Sequence, residues 1–426
     1  MMKSYKIRIA DQLLARKLAG VGAVLVEGPK WCGKTTTCEQ VAQSALYMAD
    51  PETREQNLRA AQINIKDLLE GDRPRLIDEW QDAPKFWDAV RYAVDHSDAD
   101  GQFILTGSAV PPDSDEIVHT GTGRIARLKM RPMTLWESGE SSGGVSFASL
   151  FSGEMLTTAP AMPWRLKDIA YLTCRGGWPR AVLQKPEISL DRAFEYYEAV
   201  VGSDISRVDK VPRDPERVRR LMRSYARLQG TQSNLSVIRK DMKEHDVKTL
   251  DEDTVGSYLK ALRKIFVVDD VSAWSPCLRS KAIVRTSDTR YFVDPSIATA
   301  AMELGPGDLM NDLRSFGYFF ETLAVRDLRT YAEANFGSVS HYLDKNGLEC
   351  DVVMRVRNGA YGLVEIKLGG EDLVEEAAKT LCSLAQIIDT GKMKEPSFRM
   401  VVTATGDLAY RREDGVIVCP ISCLRP

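Results

Sequence analysis

The sequence predicts an α/β protein of two to four domains, because 426 residues exceed what a single hydrophobic core usually supports. Three observations carry that prediction. An apolar run, Ala23-Val24-Leu25-Val26, passes through a glycine-containing loop into a helical pattern. Strand and helix patterns then alternate to about residue 130, the order that builds a parallel sheet covered on both faces. From residue 339 onward, three strand-like segments joined by Asn-Gly turns indicate a second sheet.

Composition narrows the class. With 44% apolar and 27% charged residues the chain reads as an ordinary globular protein, and a net charge of −3 means that any nucleic-acid contact needs a local basic face. Lys3, Lys6 and Arg8 stand where a secretory signal needs an apolar block, and no later run is long enough to span a bilayer. The expectation is a cytoplasmic protein with no membrane contact. The eight cysteines are scattered without a C-x-x-C pair, and Cys419 and Cys423, the one close pair, have no histidine near them. Thiols in a reducing compartment are expected rather than a cysteine metal site. Asp98-Ala99-Asp100-Gly101 reads as a turn, since His96 and Gly107 stand where a calcium loop needs ligands.

Taken in order, residues 9–19 carry apolar side chains at helical spacing and end at Gly20. Next come Gly28, Pro29, Lys30, Trp31, Cys32, Gly33, Lys34 and Thr35, with Thr36 following, in the G-x-x-x-x-G-K-T spacing of a phosphate-binding loop. Gly28 and Gly33 let consecutive N–H groups face a phosphate, and the helix beginning at Lys34 is expected to add its dipole. Lys34 is expected to reach the β- and γ-phosphates, and the Thr35 hydroxyl to ligate Mg²⁺. Ala45-Leu46-Tyr47-Met48 reads as a second strand and residues 54–70 as helical. Arg75-Leu76-Ile77-Asp78-Glu79 is a short strand ending in two acids: Asp78 suits the magnesium shell and Glu79 the attacking water. A further strand, 102–105, leads into Thr106-Gly107-Ser108, where Thr106 and Ser108 either sense a phosphate or provide ordinary turn chemistry. Thr120 to Arg124 then enters a fifth strand at 125–130.

These segments, together with Arg175-Gly176-Gly177-Trp178-Pro179-Arg180, resemble the bacterial and archaeal AAA-type P-loop ATPases that carry a C-terminal domain of unknown function. The resemblance implies an AAA-type core with ATP and Mg²⁺ as cofactors, ATP hydrolysis, Arg124 in the place of an arginine finger and Arg180 in a helical lid as a sensor arginine. Residues 138–144, rich in Ser and Gly, read as a flexible linker between core and lid. The expected domains are the core at 1–160, the lid at 161–212, a winged helix-turn-helix at 213–285 and a C-terminal α/β domain at 286–426.

The third domain follows from a helix crowded with Arg217, Arg219, Arg220, Arg223 and Arg227 with few acids among them, then a short helix, a helix from Thr254 and a strand at 266–271. As a DNA reader it would set the helix from Thr254 in the major groove, with Arg263 and Lys264 on phosphates. As a packing or oligomerisation module it leaves a homo-oligomer open. In the last domain, a helix carrying Glu321, a strand carrying Asp351 and a strand carrying Glu365 and Lys367 resemble the PD-(D/E)XK nuclease fold, with Cys350 replacing the usual proline. That resemblance implies a divalent metal on Glu321, Asp351 and Glu365, with Lys367 polarising water. Asp351 and Glu365 share a face only if Arg357-Asn358-Gly359 forms a three-residue loop, which places Gly359 where a left-handed residue is needed.

Overall fold

Val24, Leu25 and Val26 form a central strand because no polar side chain interrupts the run, so both faces of it can be buried. The computed structural model describes residues 5–108, 121–209, 211–244, 251–275, 287–388, 390 and 393–426. The chain divides into two compact units, the first made of residues 1–132, 202–213 and 260–267, the second of 133–201, 214–259 and 268–426.

In the first unit, strands β1 (Ala23–Glu27), β2 (Ser44–Tyr47), β3 (Arg75–Asp78), β4 (Phe103–Gly107) and β5 (Ile125–Lys129) form one sheet in the order β2-β3-β4-β1-β5. All its pairings are parallel. Alternate residues point to opposite faces. Val24, Val26, Leu76, Ile104 and Leu128 pack with Leu14 and Leu18 of the helix Ile9–Leu18. Leu25, Ile77, Phe103 and Leu105 pack with Trp80, Phe86, Trp87 and Val90. The three-layer α/β core expected from the strand–helix alternation is therefore present, and β4 lies between the loop strand β1 and the acid strand β3. Among the described residues, no helix is long and apolar enough to cross a membrane.

The first continuous stretch of the first unit runs to Pro132. Strands β6 (Val145–Ser146) and β7 (Thr158–Pro160) belong to the second unit. There they meet β8 (Gly337–Leu343), β9 (Glu349–Val356), β10 (Tyr361–Lys367), β11 (Phe398–Thr403), β12 (Leu408–Arg411), β13 (Ile417–Pro420) and β14 (Leu424–Arg425). β6 pairs with β14, and β7 closes one edge of a seven-stranded sheet, β7-β12-β13-β11-β10-β9-β8. Residues 138–144 are consequently no flexible linker. Ser138 and Ser141 are buried, Ser141 Oγ donates to the Leu424 carbonyl at 2.6 Å and the Ser142 N–H to that of Ser422 at 2.7 Å. Small hydroxyl side chains here satisfy backbone groups in a tight passage.

Of the residues expected as a separate lid, those up to Val201 are built into the second unit, while 202–213 cluster with the first. Gly177 sits where a Cβ would lie 2.1 Å from the Met133 carbonyl oxygen. Its N–H donates to Asp294 at 2.9 Å, and Trp178 Nε1 donates to Ser296 Oγ at 2.9 Å. The Arg175-to-Arg180 motif is thus largely a packing device, with Arg175 buried against Glu140. Helices Pro215–Arg227, Leu235–Glu244 and Glu252–Lys264 follow in the expected order. In place of a strand at 266–271, two isolated bridges occur, Val268 with Phe292 and Val271 with Thr289. Residues 276–286 between them lie outside the described residues.

Helix Glu371–Ile387 covers the C-terminal sheet, with Val374, Ala378, Leu381 and Leu384 against Val353, Leu363 and Val401. Helix Leu313–Ala334 is buried on more than one stripe and carries Arg326 between Asp294 and Asp327, at 2.8 and 2.7 Å, with all three side chains shielded from solvent. The hairpin joining β9 to β10 has the three-residue loop, with Gly359 at φ 82° and the Val356 N–H donating to the Ala360 carbonyl at 3.0 Å.

Candidate functional site

The loop after β1 is shaped by its glycines and braced from the N-terminal side. Gly33 adopts φ 99°, and a Cβ on Gly28 would lie 2.2 Å from the Met130 carbonyl oxygen. The buried Arg8 guanidinium donates to the Cys32 carbonyl at 2.8 Å and the Arg131 carbonyl at 2.9 Å. Tyr5 shares a hydrogen bond with Thr37 at 3.0 Å and donates to Asp11 at 2.6 Å. Lys34 is buried, and its ammonium donates to the Gly28 and Pro29 carbonyls, each at 2.9 Å. Exposed Trp31 stands in the left-handed region at φ 65°, and buried Cys32 faces Met130. Thr36 is exposed on the first turn of the helix. That helix runs only from Lys34 to Glu39. Its dipole is correspondingly small, and the loop N–H groups are left as the principal anion donors.

Asp78, the last residue of β3, meets this loop. Asp78 pairs in register with Thr106 on the neighbouring strand and accepts hydrogen bonds from Thr35 Oγ1, at 2.8 Å, and from Thr106 Oγ1. Glu79 follows in the left-handed conformation, φ 55°, so it leaves the strand's alternation instead of turning to the opposite face. Its carboxylate accepts from Gln81 and from Ser108 Oγ at 3.2 Å. The structure therefore brings together Lys34, Thr35, Asp78, Glu79, Thr106 and Ser108. A threonine hydroxyl and a carboxylate in contact suit a magnesium shell.

Other expected site residues have different surroundings. Arg124 is half-exposed and paired with Asp95 at 2.5 Å, so action as a finger would require it to leave that carboxylate. Arg180 is exposed on the helix Pro179–Val182 of the second unit. Lys30 pairs with Asp204 at 2.6 Å. Asp204, like Arg8, was not legible as a site residue, because its partner is distant in sequence.

In the second unit, the pairing of β9 with β10 sets Val352 opposite Val364. Asp351 and Glu365 accordingly face each other at the next position. Lys367 Nζ lies 2.7 Å from Glu365 Oε2 and 3.5 Å from Asp351 Oδ2, and Asp351 also accepts from the Ile366 N–H at 2.8 Å. Glu321 accepts from the buried Tyr291 hydroxyl. Glu321, Glu365 and Lys367 line a cleft of about 410 Å³ with Leu313, Tyr318 and Leu373 at its rim. Burial, reinforced by Asp351, pushes the Glu365 carboxyl up to about 8, and the same two causes push Glu321 well above the carboxylate range. Glu365 Oε1 is buried without a hydrogen-bond partner. Cys350 points away into the core, where its thiol contacts the Val352 and Val364 carbonyls. No group of three His, Cys, Asp or Glu side chains poised for a metal occurs among the described residues; the cation between Asp351 and Glu365 is Lys367.

The expected DNA-facing arginines are largely paired within the chain. Arg219 makes a bidentate contact with Glu198, both bonds 2.8 Å, Arg223 contacts Glu303, and Arg227 holds Asp241 at 2.5 Å. Acids absent from the helix itself are supplied by neighbouring elements, and the helix Glu252–Lys264 opens on Glu252 and Asp253. This arrangement corrects the expectation of an uncompensated basic face.

This nucleotide-loop geometry defines the class: the first unit is a parallel α/β P-loop domain with the Thr35–Asp78 contact at its loop. Residues 21–138 match the family described as AAA domain. Residues 166–308 and 316–424 match two domains of unknown function, DUF8612 and DUF4143. A comparison with curated proteins yields no match. Among solved structures, the Walker-type ATPase PABY2304 of Pyrococcus abyssi is similar at 14% identity and a TM-score of 0.43, over 71% of this chain and 99% of that one.

Proposed function

We propose that the protein is an ATP-hydrolysing AAA-type machine whose nucleotide cycle controls a nuclease-like site in its C-terminal domain. In the first unit, Lys34 neutralises the β- and γ-phosphates, Thr35 and Asp78 would hold Mg²⁺, and Glu79, oriented by Gln81 and Ser108, positions the attacking water. Bound Mg²⁺ would supply charge neutralisation on the phosphate oxygens.

The observation that carries the second half of the reading is the placement of Asp351 and Glu365 at facing positions with Lys367 between them. The partnerless Glu365 oxygen supports the reading: Asp351 and Glu365 would hold a divalent cation once Lys367 moves off them, and the cation would supply Lewis acidity toward a phosphodiester. Lys367 would then hold and orient water. A second reading, a nucleotide-dependent scaffold that cuts nothing, is favoured by the internal pairing of Arg219, Arg223 and Arg227. The test is to incubate the purified full chain with ATP, Mg²⁺ or Mn²⁺ and DNA and RNA substrates, following phosphate release and strand cleavage together. Cleavage that Asp351→Asn and Lys367→Ala abolish supports the first reading; phosphate release without cleavage of any substrate supports the scaffold.

A further inference from the structure

The P-loop contains a second cation whose partner lies far along the chain. Lys30 stands two residues after Gly28, and its ammonium is 2.6 Å from Asp204 Oδ1. The lysine side chain is 43% exposed and the aspartate side chain 10%, so a mobile cation rests on a fixed, largely buried carboxylate. Ser203 Oγ lies 3.4 Å from the same oxygen.

Asp204 closes a π-helical turn, Val200–Asp204. Such turns are rare and concentrate at functional sites. The stretch from Ile205 to Arg213 is tied to itself. The Arg213 guanidinium, 1% exposed, pairs with Asp209 at 2.7 Å and donates to the Ile205 carbonyl at 2.7 Å, while its backbone N–H donates to Ser206 Oγ at 3.0 Å. Residues 202–213 cluster with the P-loop unit, although the stretches before and after them, 133–201 and 214–259, belong to the second unit. The loop's ion pair therefore grips a short excursion of the chain that has the second unit on both sides in sequence.

We propose that Lys30 and Asp204 form a latch responsive to the γ-phosphate of a nucleoside triphosphate. This rests on the loop binding nucleotide but not on any reading of the C-terminal cleft. One carboxylate holds Lys30, whereas a triphosphate in the loop presents three to four negative charges; the attraction scales with charge over distance, so the phosphates win the lysine. The diphosphate lacks the terminal group and leaves the pair closed. Opening it leaves Asp204 without its cation beside an anion, and segment 202–209 loosens. Asp204 is in this sense a positioning residue acting through Lys30.

The test is hydrogen exchange on peptides spanning 202–209 of the full chain with a non-hydrolysable ATP analogue, with ADP and without nucleotide, beside a direct nucleotide-binding titration. In the wild type, the triphosphate analogue speeds exchange several-fold over ADP. In Asp204→Asn, exchange is fast throughout and indifferent to nucleotide, and the preference for triphosphate over diphosphate rises because no carboxylate competes for Lys30. Lys30→Met also exchanges fast throughout and loses part of that preference; Lys30→Arg restores both behaviours. A triphosphate response that persists in Asp204→Asn overturns the latch, as does wild-type exchange that is equal with both nucleotides. Absence of nucleotide binding by the wild type would instead remove the ATPase reading beneath it.

Discussion

Replacing Glu365 with glutamine should make the protein more stable in alkaline solution, because the wild type bears the cost of a carboxylate pushed into a buried, like-charged corner. Burial and then Asp351 raise this group from 4.5 to about 8. Its folded form thus holds a proton that its unfolded form releases, so the stability it contributes is complete at low pH and is lost as pH rises through the window from 4.5 to about 8. For a single group the loss is up to ~1.4 kcal/mol per pH unit. The rise to about 8 already includes the Lys367 ammonium at 2.7 Å, which lowers it, so the loss between the ends of the window is on the order of 4–5 kcal/mol. Glutamine keeps the shape and has no proton to lose. Urea denaturation of wild type and Glu365→Gln at pH 5, 6.5 and 8 measures the difference. Stabilities should nearly coincide at pH 5 and diverge by pH 8 in favour of the variant, while any metal-dependent activity of the cleft disappears. A variant no more stable than wild type at pH 8, with the same slope against pH, would refute the assignment of a trapped proton to this site.

The geometry sets three further outcomes. Arg326→Met should destabilise the second unit by about 3–5 kcal/mol, since it strands Asp294 and Asp327 in the interior; a thermal or urea midpoint near wild type would contradict this. Gly28→Ala should abolish nucleotide binding in a titration, because its Cβ would meet the Met130 carbonyl oxygen at 2.2 Å and push the loop off β5; wild-type affinity would show that the loop yields. Arg219→Glu with Arg223→Glu should lower stability more than it changes nucleic-acid binding, since it sets like charges against Glu198 and Glu303, and DNA retention measured across a salt series decides between the two.

How far the sequence revealed these features depends on the distance over which each is encoded. The phosphate loop and the Asp78-Glu79 pair are each contiguous in sequence, so spacing alone singled out Lys34, Thr35, Asp78 and Glu79 as candidates. The facing of Asp351 and Glu365 was also readable, because a single residue, Gly359, sets the loop length and with it the register. Partnerships across long separations were not. Glu198 for Arg219, Glu303 for Arg223 and Asp204 for Lys30 leave no local pattern, and counting acids on one helix made its arginines look uncompensated. The place of β6 and β7 was hidden for a related reason. β6 and β7 are two and three residues long, too short for any periodicity, and only their partners β14 and β12 assign them to the second unit.

In the proposed cycle, Glu79 orients water beside nucleotide held by Lys34 and Thr35. The most direct measurement of that role is phosphate release by Glu79→Gln at saturating ATP and Mg²⁺, paired with a binding titration on the same preparation. Binding should equal that of wild type while turnover falls by ~10²-fold or more. Turnover at the wild-type rate in that variant would contradict the role assigned to Glu79.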